Sequence, residues 1–465
     1  MNLFIGISIS ASTKLLKNFR FIYICNMEAF KRTIILPLVL LVAGTAFGQT
    51  INDHVTLSVD KFDGIYSKGE AVRIYAQADS AATYRLKLYV NGLAKSESQV
   101  EIGLEKSVIF NESYDGPIAL MFEVKGMDSA SKGNAMIGTI VAPEEFTPGF
   151  EEPRDLRKFW RKQFRRMRKS EPKVTLTKVP VTNPEYASNT LCYDLEISMP
   201  EGRPVRGYIA IPKGAVPGSL PIVIFAHAAG KIHNKWTLSD PDVTAALAHR
   251  GGGAIALDIN AHGLLNGQPE SYYKEFEDGE LHDYSGRHVT SHEDFYFRTM
   301  FLRLERALDY ACTNKYWDRK RVLVFGESQG GAQSAFLAGV DKRVGAAVMT
   351  VPAMMDMGGA LKGRLSAWVK PLERDGLDSP ARNIAPYYDG ALLLKGCKAS
   401  LFIEAGLIDV TCPPAGVFSG YNNAKGKKVM YTCPYRPHHE PNSKYHDGWM
   451  YIYEARNAFI DDYLK

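Results

Sequence analysis

The sequence has 465 residues, of which 45% are hydrophobic and 23% charged, so the chain is long enough to bury two hydrophobic cores. This composition excludes a disordered, collagen-like or coiled-coil protein. The formal net charge is +5, but residues 1–48 contain five basic side chains and one acidic side chain, which leaves the rest of the chain nearly neutral. Overall charge therefore gives no support to a nucleic-acid partner.

An export signal is predicted at residues 27–48. Lys31 and Arg32 precede a compact apolar run, and small residues follow it in the pattern that signal peptidases cleave. We expect cleavage after Gly48 and an exported protein, periplasmic or extracellular. The apolar run is too short for a membrane span. Residues 1–26 are interpreted as an extension that results from a start codon assigned too early.

Five cysteines lie after the predicted signal, at Cys192, Cys312, Cys397, Cys412 and Cys433. Their number is odd and their spacing matches no disulfide framework, which favours buried free thiols. Export permits disulfides, and the candidate pair is Cys412 with Cys433.

Residues 49–143 are predicted to form a small β-sandwich of the immunoglobulin-like type. Short segments with alternating or β-branched residues are separated by turn signals, and no helical period is present. Four tyrosines of this region are candidates for carbohydrate stacking, although their alternating placement favours a β core. They are Tyr66, Tyr75, Tyr84 and Tyr89.

Residues 144–189 are predicted to be a linker with an amphipathic helix over Pro153–Lys169. Leu156, Phe159 and Trp160 belong to its apolar face, while lysine and arginine fill much of the remainder. A packed helix with a solvated basic face is favoured over a polyanion-binding helix.

Residues 190–465 alternate between apolar strands and helical patterns. Near-continuous apolar strands are typical of buried parallel sheets. The fold class predicted is therefore α/β, with a doubly wound, mostly parallel sheet preceded by the small N-terminal β-sandwich.

The segment RVLVFGESQGG contains a G-x-S-x-G motif at Gly326, Ser328 and Gly330, with a strand before it and a helix after it. In this context the motif predicts a nucleophile elbow, in which glycines allow the tight turn that exposes the serine hydroxyl. The amide of Gln329 would then face a developing oxyanion from a helix N-terminus.

A serine nucleophile needs a base, and in α/β-hydrolases an acid and then a histidine follow it along the chain. Asp409 follows the strand KASLFIEAG, whereas the competing Glu404 lies inside that strand. The histidine candidates are three: His438, His439 and His446. A metal site in this histidine-rich segment is disfavoured, because the spacing fits no common zinc motif.

Three segments resemble the acetyl xylan esterases and cephalosporin C deacetylases, the seventh carbohydrate esterase family. They are GESQGG, GLIDVTCPPAGVFSGYN and the His439-Glu440 pair. The resemblance covers roughly residues 150–465 and implies an α/β-hydrolase fold. It also implies a catalytic triad of Ser328, Asp409 and His439.

Two segments depart from the pattern of that family. The family's R-G-Q-G reads Asn260-Ala261-His262-Gly263 here, so the supporting arginine is absent. The aromatic of the family's oxyanion loop aligns with Ala228, or with Ala229 if the alignment starts at His227. Ala228 and Gln329 are therefore the expected oxyanion donors.

The function implied is a serine esterase that removes acetyl groups from plant-type oligosaccharides and polysaccharides such as acetylated xylan. It would need no cofactor and no metal. The family also forms ring-shaped oligomers, which makes a homo-oligomer one of the expected partners. Two alternatives remain open: a serine exopeptidase of the same fold, and an inactive hydrolase fold that binds carbohydrate.

Overall fold

The computed structural model describes residues 54–234, 236–441 and 446–465. The predicted extension and signal peptide, residues 1–26 and 27–48, lie outside these ranges. Within the described residues, no helix combines the length and the apolar character needed to cross a membrane.

Eight strands form two sheets at the start of the described chain. Their bounds are β1 (Val55–Val59), β2 (Ile65–Tyr66), β3 (Ala71–Ala78), β4 (Ala82–Val90), β5 (Leu93–Ile102), β6 (Ser107–Ser113), β7 (Ile118–Gly126) and β8 (Asn134–Val141). One sheet has the order β1-β3-β6 and the other the order β2-β8-β7-β4-β5. All pairings are antiparallel except that of β2 with β8.

The two sheets share one core, to which both contribute alternate residues. Leu57 and Ile74 from the first sheet pack in the same cluster as Phe122 and Val124 from the second. Tyr66 and Tyr84 are buried in this core, as the alternation favoured. The two packed sheets predicted from the strand pattern are therefore present. Alternation with a period of two residues buries one face of each sheet.

The linker is a packed part of the structure. It contains α1 (Leu156–Arg168), β9 (Val174–Lys178) and α2 (Pro184–Ala187). Trp160 of α1 is buried and donates to the Tyr387 carbonyl at 2.8 Å, and Arg168 pairs with Asp309 at 2.7 Å. Arg157 donates to the Leu393 carbonyl at 3.0 Å. The basic side chains of α1 are thus partly used for intramolecular contacts.

A nine-stranded sheet forms the centre of the second half. Its further strands are β10 (Thr190–Ile197), β11 (Val205–Pro212), β12 (Leu220–Ala226), β13 (Ile255–Ile259), β14 (Trp317–Glu327), β15 (Ala346–Thr350), β16 (Ser400–Gly406) and β17 (Lys428–Cys433). The order is β17-β16-β15-β14-β12-β13-β11-β10-β9. The strands from β12 to β17 are parallel, and the β13–β11–β10–β9 edge is antiparallel.

Helices cover both faces of this sheet. They are α3 (Pro241–Ala248), α4 (Glu270–Asp278), α5 (Phe297–Ala311), α6 (Gln329–Val340), α7 (Pro371–Asp375), α8 (Ala381–Ile384), α9 (Gly390–Leu393), α10 (Pro414–Asn423) and α11 (His446–Leu464). Ile222 and Ile224 of β12 pack with α5 and α6, whereas Val223 packs with α3 and α11. Neighbouring side chains of the buried strands thus supply two separate cores, and the predicted doubly wound α/β fold is confirmed.

All five cysteines in the described residues are free. Cys412 and Cys433 are buried but do not form the candidate disulfide, so that pairing was wrong.

The sandwich packs directly against the loop that follows β16. Ala119, Ile140 and Phe146 form an apolar cluster with Leu407 and Phe418. The Gly138 amide donates to the Pro434 carbonyl at 2.7 Å, and a Cβ placed on Gly138 would overlap the carbonyl of Leu407. Contact between the two backbones therefore requires glycine at this position.

We predict that Gly138→Ala lowers the free energy of unfolding by about 1–3 kcal/mol, because backbone atoms have to separate to admit the new methyl group. Urea unfolding of the full chain measures the effect. The matched control is Gly103→Ala in the same sandwich, where an added Cβ meets nothing within 4 Å. Equal stability of the two variants would contradict the close-contact argument.

Candidate active site

Ser328 lies between the end of β14 and the start of α6, near the middle of the parallel sheet. Its backbone has φ 54° and ψ −116°, a left-handed conformation that is costly for a residue with a Cβ. Its amide donates to the Thr350 carbonyl at 2.9 Å, and its own carbonyl accepts from Ala353 at 2.9 Å. Bonds to the neighbouring strand and its loop thus hold the strained turn.

The two glycines of the motif allow this turn to lie against strand β12. A Cβ on Gly330 would overlap the carbonyl of Ala226, and one on Gly326 would press on the backbone of Gly330. The spacing G-x-S-x-G is therefore explained by close backbone packing on both sides of Ser328.

His438 joins Ser328 to Asp409. Its Nε2 lies 2.8 Å from Ser328 Oγ, and its Nδ1 lies 2.8 Å from Asp409 Oδ2. A carboxylate only accepts hydrogen bonds, so the proton of the neutral imidazole belongs on Nδ1 and Nε2 is free to accept from the serine hydroxyl. This orientation is the one a general base requires.

The expectation that His439 occupies this position is corrected by the geometry. His439 is exposed, and its ring stacks edge-on against His438 at a centroid distance of 5.6 Å. His446 begins helix α11 and contacts Trp449. The chain bends at both histidines, and in this path it is the ring of His438 that lies against Asp409.

Asp409 is held by the loop that follows β16. Its Oδ1 accepts from the amides of Thr411 and Cys412, each at 2.8 Å, which leaves Oδ2 for His438. The competing acid, Glu404, is buried within β16 and does not contact the histidine in this arrangement; it accepts from Trp449 Nε1 at 2.6 Å.

Gln329 follows Ser328 directly as the first residue of α6, and Ala228 belongs to the loop after β12. Tyr284 donates to the Gln329 side chain at 2.6 Å. The His227 carbonyl accepts from the side chains of Gln329 at 3.4 Å and Gln333 at 3.2 Å. The residue before Ala228 is thereby fixed against α6.

A buried ion pair lies behind this loop. His227 Nε2 contacts Asp258, and its Nδ1 lies 3.0 Å from the Trp236 carbonyl. Burial opposes the charged imidazole, but the Asp258 carboxylate outweighs that effect and raises the pKa of His227. Sequence reasoning missed the pair, although Asp258 inside the apolar strand IALDI was a signal, since buried carboxylates need a partner.

Aromatic side chains from two segments approach the site. Tyr284 contacts the rings of His262 at 4.7 Å and Trp368 at 6.5 Å. The Trp368 amide donates to the Thr411 carbonyl at 2.9 Å, so this ring is tied to the loop of Asp409. Burial lowers the pKa of His262 to about 3, with the charges of Arg303 and Arg203 acting in the same direction.

One set of side chains in the described residues offers three grouped metal-ligand atoms, namely Asp409, Cys412 and His438. Two of these side chains already bind one another through the bond of His438 to Asp409. Burial, and then the charge of Asp409, raise the pKa of the Cys412 thiol. A neutral thiol is a poor metal ligand, so the chemistry of the group favours the hydrogen-bonded chain.

Comparison with known proteins identifies the family. The acetyl xylan esterase (AXE1) family model matches residues 144–455. Acetyl esterase Axe7A of Xylanibacter ruminicola is 29% identical over 303 residues, a match that covers 64% of this chain and 66% of that relative, just under two thirds of its length.

Solved structures share the fold. An acetyl xylan esterase from Paenibacillus sp. R4 has a TM-score of 0.54 and 21% identity, with coverage of 69% of this chain and 98% of the other. Acetyl xylan esterase 1 from Thermoanaerobacterium sp. JW/SL YS485 has a TM-score of 0.51 and 22% identity, with coverage of 67% and 97%. These likenesses show an α/β-hydrolase fold.

The resemblance carried by the elbow and the acid loop is therefore confirmed over residues 144–455. Because the family model matches more than half of its residues, this chain belongs to the acetyl xylan esterase family.

Proposed function

We propose that the protein is a serine carboxylic ester hydrolase that removes acetyl groups from plant-type oligosaccharides and polysaccharides such as acetylated xylan. The observation that carries the proposal is the pair of 2.8 Å contacts that join Ser328, His438 and Asp409. Family membership supports the ester chemistry, and the names of the relatives support the acetyl group.

Acylation begins when Ser328 Oγ attacks the acetyl carbonyl carbon and its proton passes to His438 Nε2. Asp409 holds Nδ1–H and stabilises the imidazolium that forms. The carbonyl oxygen becomes an oxyanion, to which the amides of Gln329 and Ala228 donate in this proposal. One such donor is worth about 3–4 kcal/mol of transition-state stabilisation.

The tetrahedral intermediate then breaks its bond to the sugar oxygen, which takes the proton from His438 and leaves as an alcohol. In the second half a water molecule gives a proton to His438 and attacks the acetyl-serine carbon. Release of acetate returns that proton to Ser328 Oγ. Each step uses the same base and the same donors.

An exopeptidase of this fold would need an unpaired charge to hold a chain terminus. Two arginines of the segment at 352–377 are engaged in other ways. Arg364 pairs with the buried Asp356 at 2.6 Å, and Arg374 pairs with Asp375 at 2.8 Å. Neither arginine is therefore free to hold a chain terminus.

The proposal predicts hydrolysis of acetylated xylooligosaccharides and of p-nitrophenyl acetate, with little or no cleavage of dipeptidyl amides. Ser328→Ala should lower kcat by on the order of 10⁶ while the fold remains intact, since triad members act as a unit. Acetate release and circular dichroism measure the two quantities.

A fluorophosphonate probe provides the control, because it should label the wild type at one residue and fail to label Ser328→Ala. Preferential cleavage of the dipeptidyl amides would favour the exopeptidase instead. Absence of any hydrolysis in the folded wild type would favour a carbohydrate-binding role.

The two adjacent histidines are predicted to differ strongly. His438→Ala removes the hydrogen-bond partner of Ser328 and should be about as damaging as Ser328→Ala. His439→Ala removes an exposed ring and should stay within a few-fold of wild-type kcat. Turnover of p-nitrophenyl acetate measures both, and a larger loss in His439→Ala would return the role of base to that residue.

The proposed mechanism needs a general base in its neutral form, so kcat/KM should fall in acid solution. His262 is not the titrating group, since burial keeps its pKa at about 3 and the ring stays neutral across working pH. The acid fall of kcat/KM, measured between about pH 5 and 8, should therefore persist in His262→Gln. A flat profile in that variant would assign the titration to His262.

A further inference from the structure

The guanidinium of Arg436 is buried next to the segments that carry Ser328, Asp409 and His438. Its side chain is fully buried, and burial lowers its pKa to about 10, so it stays charged near neutral pH. It stands two residues before His438 in the loop after β17. No step of the proposed mechanism uses it.

The first partner of Arg436 belongs to the strand that leads to Asp409. Its Nη1 forms an ion pair with Glu404 of β16, whose side chain is also fully buried. Glu404 accepts from Trp449 Nε1 of α11 at 2.6 Å, and the Arg436 guanidinium lies 5.1 Å from the Trp449 ring centroid.

The second partner immediately precedes Ser328. Arg436 Nη2 donates to Glu327 Oε1 at 3.2 Å. The guanidinium of Arg436 thus contacts Glu327, the neighbour of Ser328, and Glu404, on the strand that leads to Asp409. Arg436 itself lies two residues before His438.

Backbone contacts join the same segments. The Ile408 amide donates to the Arg436 carbonyl at 3.3 Å, one residue before Asp409, and the Leu407 amide donates to the Cys433 carbonyl at 3.0 Å. A Cβ on Gly406 would overlap the Arg436 carbonyl. The loops of the acid and the base are therefore packed on one another at Arg436.

Stability alone is a weak reason for this arrangement. Desolvating a buried ion pair often costs as much as the attraction returns, and apolar replacements are frequently neutral or stabilising. Among the described residues, Arg436 Nε and Glu404 Oε2 have no hydrogen-bond partner, and Arg436 Nη1 has none besides its ion pair with Glu404. Unsatisfied buried groups of this kind require another explanation.

We propose that Arg436 is a positioning residue, which sets the mutual placement of Ser328, Asp409 and His438 through Glu327 and Glu404. The proposal rests on the proposed function. Its effect should be on the chemical step, because the three reacting groups would drift apart without Arg436 and its fully buried side chain is not exposed to substrate. A misplacement of about 1 Å can cost on the order of 100-fold in rate.

The test compares Arg436→Met, Glu404→Gln and the double variant with p-nitrophenyl acetate as substrate. Arg436→Met should lower kcat by about 10- to 100-fold with KM within about twofold. It should also lower the melting temperature, because Glu404 is left as an unpaired buried charge. The double variant removes that charge and should recover stability but not kcat.

The matched control is Arg306→Met, the same substitution at another buried arginine. Arg306 donates to the carbonyls of Met167 at 2.8 Å and Ser170 at 2.9 Å, at the end of α1, and contacts no residue of the proposed triad. It should lose stability and keep kcat, when activity is measured well below the melting temperature.

Recovery of both stability and kcat in the double variant would overturn the proposal, because Arg436 would then be merely structural. If Arg436→Met does not fold, kcat of the double variant provides the same test. If neither variant folds, kcat of Glu327→Gln provides it. The Glu327 side chain is 36% exposed, so that variant should fold and show a lower kcat; an unchanged kcat would overturn the proposal. Retained activity in Ser328→Ala would refute the proposed function instead, whatever Arg436 does.

Discussion

The strained backbone of Ser328 is the constraint around which the α/β half is arranged. A non-glycine residue with φ 54° costs roughly 1–3 kcal/mol and persists only where its surroundings determine it. Here β12 and β15 flank β14 on both sides, and Gly326 of β14 and Gly330 of α6 both lie against the carbonyl of Ala226. Because these strands are parallel, their carboxyl ends and the loops that follow them lie at the same edge of the sheet.

The features that could be predicted from the sequence are those that depend on neighbouring residues in the chain. A glycine-bracketed serine between an apolar strand and a small-residue helix specifies the elbow, and a carboxylate just after a buried strand specifies Asp409. The antiparallel edge formed by β9, β10 and β11 was not predicted, because strand direction depends on which partner a strand meets and an apolar run does not encode that choice.

Whether His438 or His439 faces Asp409 depends on the path of the loop, which the sequence does not reveal. Both follow β17 in a short segment without helical or strand periodicity, so the sequence pattern does not indicate which of the two rings faces the acid. That path is set by Cys433 and Arg436, whose carbonyls accept from Leu407 and Ile408. These contacts are long-range, so neither residue types nor spacing within the histidine segment reveals them.

Long-range contacts also hold the loop that follows β13. In the segment from Asn260 to Gly263 the Ala261 carbonyl accepts from Arg303 at 2.6 Å, and the His262 carbonyl accepts from Arg203 at 3.3 Å. A guanidinium has five donors in a fixed planar fork, so it can hold loop carbonyls from any element that reaches them. Loops at the carboxyl ends of parallel strands expose many such carbonyls. Arg303 of α5 and Arg203 of the loop before β11 therefore hold the segment from Asn260 to Gly263, which contains no arginine of its own, and only the folded chain reveals this support.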